Sequence, residues 1–217
     1  MRLIVGLGNP GHEFELTRHN AGFQVLDALG TVSGGEWKAA KNLLSATIKG
    51  RIHNHDVLLA KPLTYMNLSG RAVQAILSWY KLSLADVVVV HDDVSINHGR
   101  LRIQSGGGAG GQHGIESIIA EMGGKKEFVR VKFGVGPDPG GANRANYVLG
   151  RFPECDRELN QKCVDTARDA IIELLDGGLT KAMNKYNGLV IGIPCRLQTE
   201  VPPKPSVQTN ITAPTEQ

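Results

Sequence analysis

The run Val87-Val88-Val89-Val90-His91-Asp92-Asp93 constrains this chain more than any other stretch. Four consecutive β-branched residues favour an extended backbone. Side chains of a strand alternate between faces, so this one is apolar on both and must be buried on both. Its sheet therefore needs helices above and below it. Strand-like and helix-like segments alternate along the rest of the chain, which predicts an α/β fold with a partly parallel, mixed sheet. At 217 residues, a single domain is the default. The run ends in two acids, and open α/β sheets bind ligands beyond the carboxyl ends of their strands.

A second apolar run, Leu3-Ile4-Val5, leads into Gly6-x-Gly8-x-x-Gly11. This spacing spells the dinucleotide-binding pattern. That use requires a helix straight after the glycines, then a parallel strand ending in an acid about 20 residues on. Here Pro10 and Gly11 interrupt the chain, and helical periodicity starts near residue 20. Asp27, the acid at the right distance, lies inside that helix. A nicotinamide enzyme is therefore set aside. The glycines are expected to allow a tight loop with positive φ beneath Asn9.

Periodicity predicts a strand at 2–6 and a helix at 20–30, with Phe23, Val25, Leu26 and Leu29 turned inward. Strands "SATIKGRI" and "VLLAKP" flank a turn at 53–56. A helix over 67–81 repeats Leu68, Ala72, Ile76 and Tyr80. "RLRIQ" and "VRVKF" alternate as half-exposed strands do. Further helices are expected at 113–122, 155–176 and 179–187. The last twenty residues, rich in Pro, Thr and Gln, read as a tail disordered from about residue 198. No segment could span a bilayer. Cys155, Cys163 and Cys195 are few, odd in number and without metal-ligand spacing, which suits a reduced cytosolic compartment. The net charge of +3 permits a polyanionic partner without demanding one.

Five constellations could carry chemistry. His19, in Thr17-Arg18-His19-Asn20, is either an incidental loop residue before a helix capped by Asn20 or a general base made less basic by the helix dipole. Asp92 or Asp93 could orient an imidazole; the alternative is a solvated turn. A metal on His91-Asp92-Asp93 is the weaker idea, because neighbours on a strand face opposite ways. Asn67 is either the cap of its helix or an amide donor in a cleft. Residues 105–114 hold six glycines, enough for an anion-binding or mobile loop, and Gly110-Gly111-Gln112 spells the tripeptide of ribosomal release factors. Arg100, Arg102 and Gln104 share one strand face, and Arg130 and Lys132 another. Together these four cations would make a phosphate footprint; apart they are two solvated faces. There is no Gly-x-Ser-x-Gly elbow and no cysteine poised as a nucleophile, so a hydrolase here would activate water.

"GLGNPGHEFELTRHNAGF", "KPLTYMNLSG", "HDDVSINHGRLR", "GGGAGGQHG", "VRVKFGVG" and "NYVLGRF" follow one another in the order seen in bacterial peptidyl-tRNA hydrolases. The chain resembles that family over about residues 1–190, leaving 191–217 as a C-terminal extension. The resemblance implies a monomeric α/β/α sandwich that cleaves the ester between peptide and tRNA, with no cofactor or metal. By position, His19 is the implied base and Asp92 the carboxylate that orients it. Asn9 would distinguish blocked from free aminoacyl groups, and Tyr65 and Asn67 would touch substrate. Three departures stand out. Phe14 replaces a usual Tyr at a substrate position. Gln112-His113-Gly114 replaces His-Asn-Gly, with His113 expected still to contact substrate. Gln104 takes one cation position of a phosphate clamp whose other is Lys132. The alternative is a non-catalytic RNA-binding relative of the same fold.

Overall fold

The protein is seen in a computed structural model that describes residues 1–198; the predicted disordered tail lies outside the described residues. Seven strands form one sheet: β1 (Arg2–Gly6), β2 (Lys38–Ala40), β3 (Ser45–Ile52), β4 (His55–Pro62), β5 (Val87–Asn97), β6 (Leu101–Ser105) and β7 (Val129–Gly136). Their order is β2-β3-β4-β1-β5-β7-β6. β4, β1, β5 and β7 run parallel, while β2, β3 and β6 add antiparallel edges, so the sheet is mixed as expected.

The helices are α1 (Ala21–Val32), α2 (Ser69–Tyr80), α3 (His113–Glu121), α4 (Asn143–Leu149), α5 (Arg157–Tyr186) and α6 (Cys195–Gln198). The valine run explains the layering. Val88 and Val90 join Ile4 in a core with α1 and α5, while Val87 and Val89 join Leu3 and Val5 in a core with α2 and α3. All four valines are at most 2% exposed. Burying each contributes roughly 1.5–3 kcal/mol, so the run holds both helix layers onto the sheet.

Of the patterned glycines, Gly11 has the expected positive φ, 119°, whereas Gly6, like Gly22 in α1, serves packing. A Cβ on Gly22 would lie 2.5 Å from Leu7 N, Leu7 O and Val90 O, and one on Gly6 would collide with Leu26. Only glycine lets α1 press this closely against the ends of β1 and β5. Asp27 sits inside α1 and pairs with Lys61 at 2.6 Å, so it has no ribose-binding place.

Several local expectations are corrected. β5 runs past its acids to Asn97 instead of stopping there. β7 is an inner strand and mostly buried; only the edge strand β6 shows the half-exposed pattern. A 3-10 turn, Met66–Leu68, precedes α2, and the buried residues of α2 are Ser69, Gly70, Ala72, Val73, Ile76 and Leu77. α5 breaks at Gly178, whose φ is 80°, between the two helices predicted there. α4 was not anticipated. Cys155 and Cys195 form a disulfide, where the sequence suggested free thiols. The chain returns after α5, and Cys195 N–H bonds Asp156 at 2.8 Å, which brings the two cysteines together. Cys163 stays free and buried, its thiol pushed up to about 12 by desolvation.

Candidate active site

The carboxyl ends of β1, β4 and β5 open into a cleft of about 700 Å³, lined by Asn9, His19, Tyr65, Asn67, Asp92, Gln112, His113 and α4, among others. His19 stands on a 3-10 turn, Arg18–Asn20. The preceding Arg18 fixes the turn: its guanidinium donates to Tyr147 O at 3.1 Å and lies 4.2 Å from the Tyr147 ring centre. Asn20 makes no side-chain cap to α1. Its amide instead donates to Asn9 O and accepts from Asn9 N–H, both at 2.9 Å. The loop of Asn9 and the turn of His19 are thus tied into one unit. Asn9 Oδ1 accepts from Met66 N–H at 2.8 Å. The acceptor of Asn9 is thereby used, and its NH₂ is the group offered to the cleft.

His19 Nδ1 lies 2.9 Å from Asp92 Oδ2, with side chains only 12% and 3% exposed. In the neutral ring, Nδ1–H donates to the carboxylate, which leaves Nε2 with its lone pair. Burial of the imidazole opposes its protonation, but the Asp92 charge and hydrogen bond outweigh this and raise its pKa above the usual 6.5. The expected loss of basicity to the helix dipole does not occur. His91, on the opposite face of β5, shows the contrast. Burial drives its pKa down to about 4 against the partial opposition of Asp92. Its Nδ1–H donates to Asp92 O at 2.7 Å, and its Nε2 has no hydrogen-bond partner among the described residues.

Asn67 does not cap α2; it is exposed and lines the cleft. Tyr65, 63% exposed, and His113, the first residue of α3, line it too. Phe14 ends a short 3-10 turn, His12–Phe14, and is not part of the lining.

The basic faces divide. Register places Arg102 opposite Lys132 and Gln104 opposite Arg130, so these three cations and Gln104 share one face. Arg130, however, is 0% exposed. Its two terminal nitrogens donate to Gly107 O and Gly108 O, each at 2.6 Å. Its expected role as a surface phosphate contact is corrected: it anchors the glycine loop. The inner position of β7 explains this, because the loop folds over that strand and leaves edge strand β6 uncovered. Lys132 pairs with Asp93 at 2.9 Å, and Gln104 turns to Gly106 O at 3.0 Å. Arg100 and Arg102 remain exposed.

Two features of the site escaped the sequence reading. α4 closes one side of the cleft, and Arg144 at its start is clamped by Asp138. Gln112, 8% exposed, turns inward to Asp92, so the Gly-Gly-Gln tripeptide buries its glutamine. Among the described residues, one cluster has metal-ligand proximity, Cys155, Asp156 and Cys195, and none of these lines the cleft.

A mixed α/β sheet carries an imidazole on a buried carboxylate at the carboxyl ends of its parallel strands, a geometry suited to acid–base chemistry. The profile of the peptidyl-tRNA hydrolase family matches residues 3–192, and the chain belongs to that family of enzymes. It is 45% identical over 187 residues to a peptidyl-tRNA hydrolase of Elusimicrobium minutum, covering 86% of this chain and 99% of the relative. It is 46% identical over 191 residues to that of Clostridium perfringens, covering 88% and 100%. The crystal structure of the Acinetobacter baumannii peptidyl-tRNA hydrolase superposes with a TM-score of 0.83 at 33% identity, covering 88% of this chain and 97% of that one.

Proposed function

We propose that this protein hydrolyses the ester bond between peptide and tRNA in peptidyl-tRNA, with His19 as general base. The observation that carries this reading is the 2.9 Å contact between His19 Nδ1 and Asp92 Oδ2 inside the cleft. Nε2 takes a proton from water as the water oxygen attacks the ester carbonyl. The amide N–H groups of Asn9 and Asn67 stabilise the oxyanion. The tetrahedral intermediate then collapses, the ribose oxygen leaves, and the imidazolium returns the proton to it. Asp92 holds the tautomer and balances the charge of the imidazolium.

Tyr65 and His113 contact the peptidyl end of the substrate. Exposed Arg100 and Arg102 hold tRNA phosphates, and Lys132 joins them once a phosphate displaces Asp93. The working unit is a monomer in the cytoplasm, built on residues 1–190, and its chemistry calls for neither cofactor nor metal. No helix among the described residues is long and apolar enough to cross a membrane. The test is to incubate purified protein with an N-acetylated aminoacyl-tRNA and with its free-amine counterpart. The acetylated substrate should yield free tRNA and acetyl-amino acid while the free-amine substrate survives. Retained tRNA binding without release would refute hydrolysis and favour a non-catalytic RNA-binding relative.

A further inference from the structure

Asp92 uses its two carboxylate oxygens on different partners. Oδ2 meets His19, and Oδ1 accepts from Gln112 Nε2 at 3.0 Å. Gln112 lies 20 positions away in the chain and immediately precedes α3. Its other amide atom is also committed, because Oε1 accepts from Ile115 N–H at 2.9 Å and so caps α3. These partners fix the orientation of the amide. Nε2 faces two acceptors, the carboxylate and Met66 Sδ at 3.3 Å, whereas a flipped amide would set oxygen against oxygen and N–H against N–H. Gln112 is buried and cannot serve as a surface group.

A carboxylate held through one oxygen can still turn about its broad terminal torsion. A donor on the second oxygen removes that freedom. We propose that Gln112 is a positioning residue of the catalytic pair: its amide N–H holds Asp92 in the rotation that aims Oδ2 at His19 Nδ1. The glutamine ends the glycine loop, whose other side is anchored by Arg130, so the seat of that loop and the orientation of the base share one hydrogen-bonded frame. The rate consequences of this role rest on the hydrolytic reading above, but the geometry of the pair does not.

Two variants separate positioning from capping. Gln112→Ser keeps a good helix cap but cannot reach Asp92; Gln112→Met keeps the length and loses both bonds. The proposal expects the pKa of His19, followed by NMR titration of its ring signals, to fall in both variants. It expects kcat to drop about tenfold to a hundredfold in both, with KM nearly unchanged, because a misaimed base slows the chemical step rather than binding. Gln112→Met should melt at the lower temperature of the two, because it loses the helix cap as well as the bond to Asp92. In an Asp92→Asn background, Gln112→Ser should cause no further loss of kcat, since it acts only through Asp92. A parent-like His19 pKa and parent-like kcat in Gln112→Ser, or additive losses in the double variant, would reduce Gln112 to a helix cap and overturn the proposal. If the parent itself releases no peptide, the hydrolytic reading fails, and the NMR titration still decides the role of Gln112.

Discussion

On the floor of the cleft, Asn9, Asp92 and Gln112, with Asn20 bonded to Asn9, are each at most 9% exposed, and their side chains hydrogen-bond to one another, to His19, to Met66 and to Ile115. Outside the cleft lining, a basic rim carries Arg100 and Arg102, which reach solvent, and Lys132, which is held by a single carboxylate. The floor is set before any ligand arrives, as chemistry that depends on sub-ångström alignment requires. The rim consists of long side chains that can adapt, which suits the proposed contact with a flexible polyanion. Mutations on the floor should therefore change turnover and spare binding. Those on the rim should do the reverse.

The largest effect belongs to His19→Ala. Turnover should fall by about 10²-fold to 10⁴-fold, while tRNA affinity in a titration stays near that of the parent. Equal losses of affinity and turnover would erase the division between floor and rim.

Arg130 and Arg102 sharpen the comparison, because they share a sheet face yet fall on opposite sides of the division. Arg102→Gln should flatten the dependence of log K on log salt by about 0.7–0.9 and leave stability alone. Arg130→Met should leave that slope unchanged and cost on the order of 1–3 kcal/mol in denaturant unfolding, because two charge-assisted bonds to the glycine loop are lost. A changed slope in Arg130→Met would return that residue to the rim.

The smallest effect is expected at His113, where floor meets rim. His113→Ala should raise KM for peptidyl-tRNA by about tenfold, the value of one modest hydrogen bond, and His113→Asn should match or better the parent. Parent-like KM in both variants would remove the position from the site.

The valine run made the two-layered sheet legible, because four β-branched residues in succession leave no solvent face. The break at Gly178 was legible for a related local reason: the helical pattern lapses at a glycine pair. His19 and Asp92 were legible as chemistry-bearing types beside a loop and a strand end, and the family resemblance assigned their roles. What could not be read depended on distant partners. Alternation grouped Arg102 with Gln104 and Arg130 with Lys132 but left open whether the two groups share a face, and burial depends on which strand the glycine loop covers. Gln112 looked like loop chemistry because its partner lies 20 residues away. Cys155 and Cys195 meet across 40 positions only because the chain returns after α5. α4 has seven residues and no side-chain cap, too little local signal to stand out.

The pairing of His19 with Asp92 is tested most directly by the pH dependence of kcat/KM in the parent and in Asp92→Asn. A general base works when neutral, so activity should rise with pH through the pKa of His19. Asp92 holds that pKa above 6.5, whereas His91, at about 4, is too acidic to set this limb. Removing the charge of Asp92 leaves burial, which favours the neutral ring, as the dominant influence. The account predicts an acidic limb centred above 6.5 in the parent that moves below 6.5 in Asp92→Asn, with a lower plateau. A limb that stays in place or moves upward would contradict it.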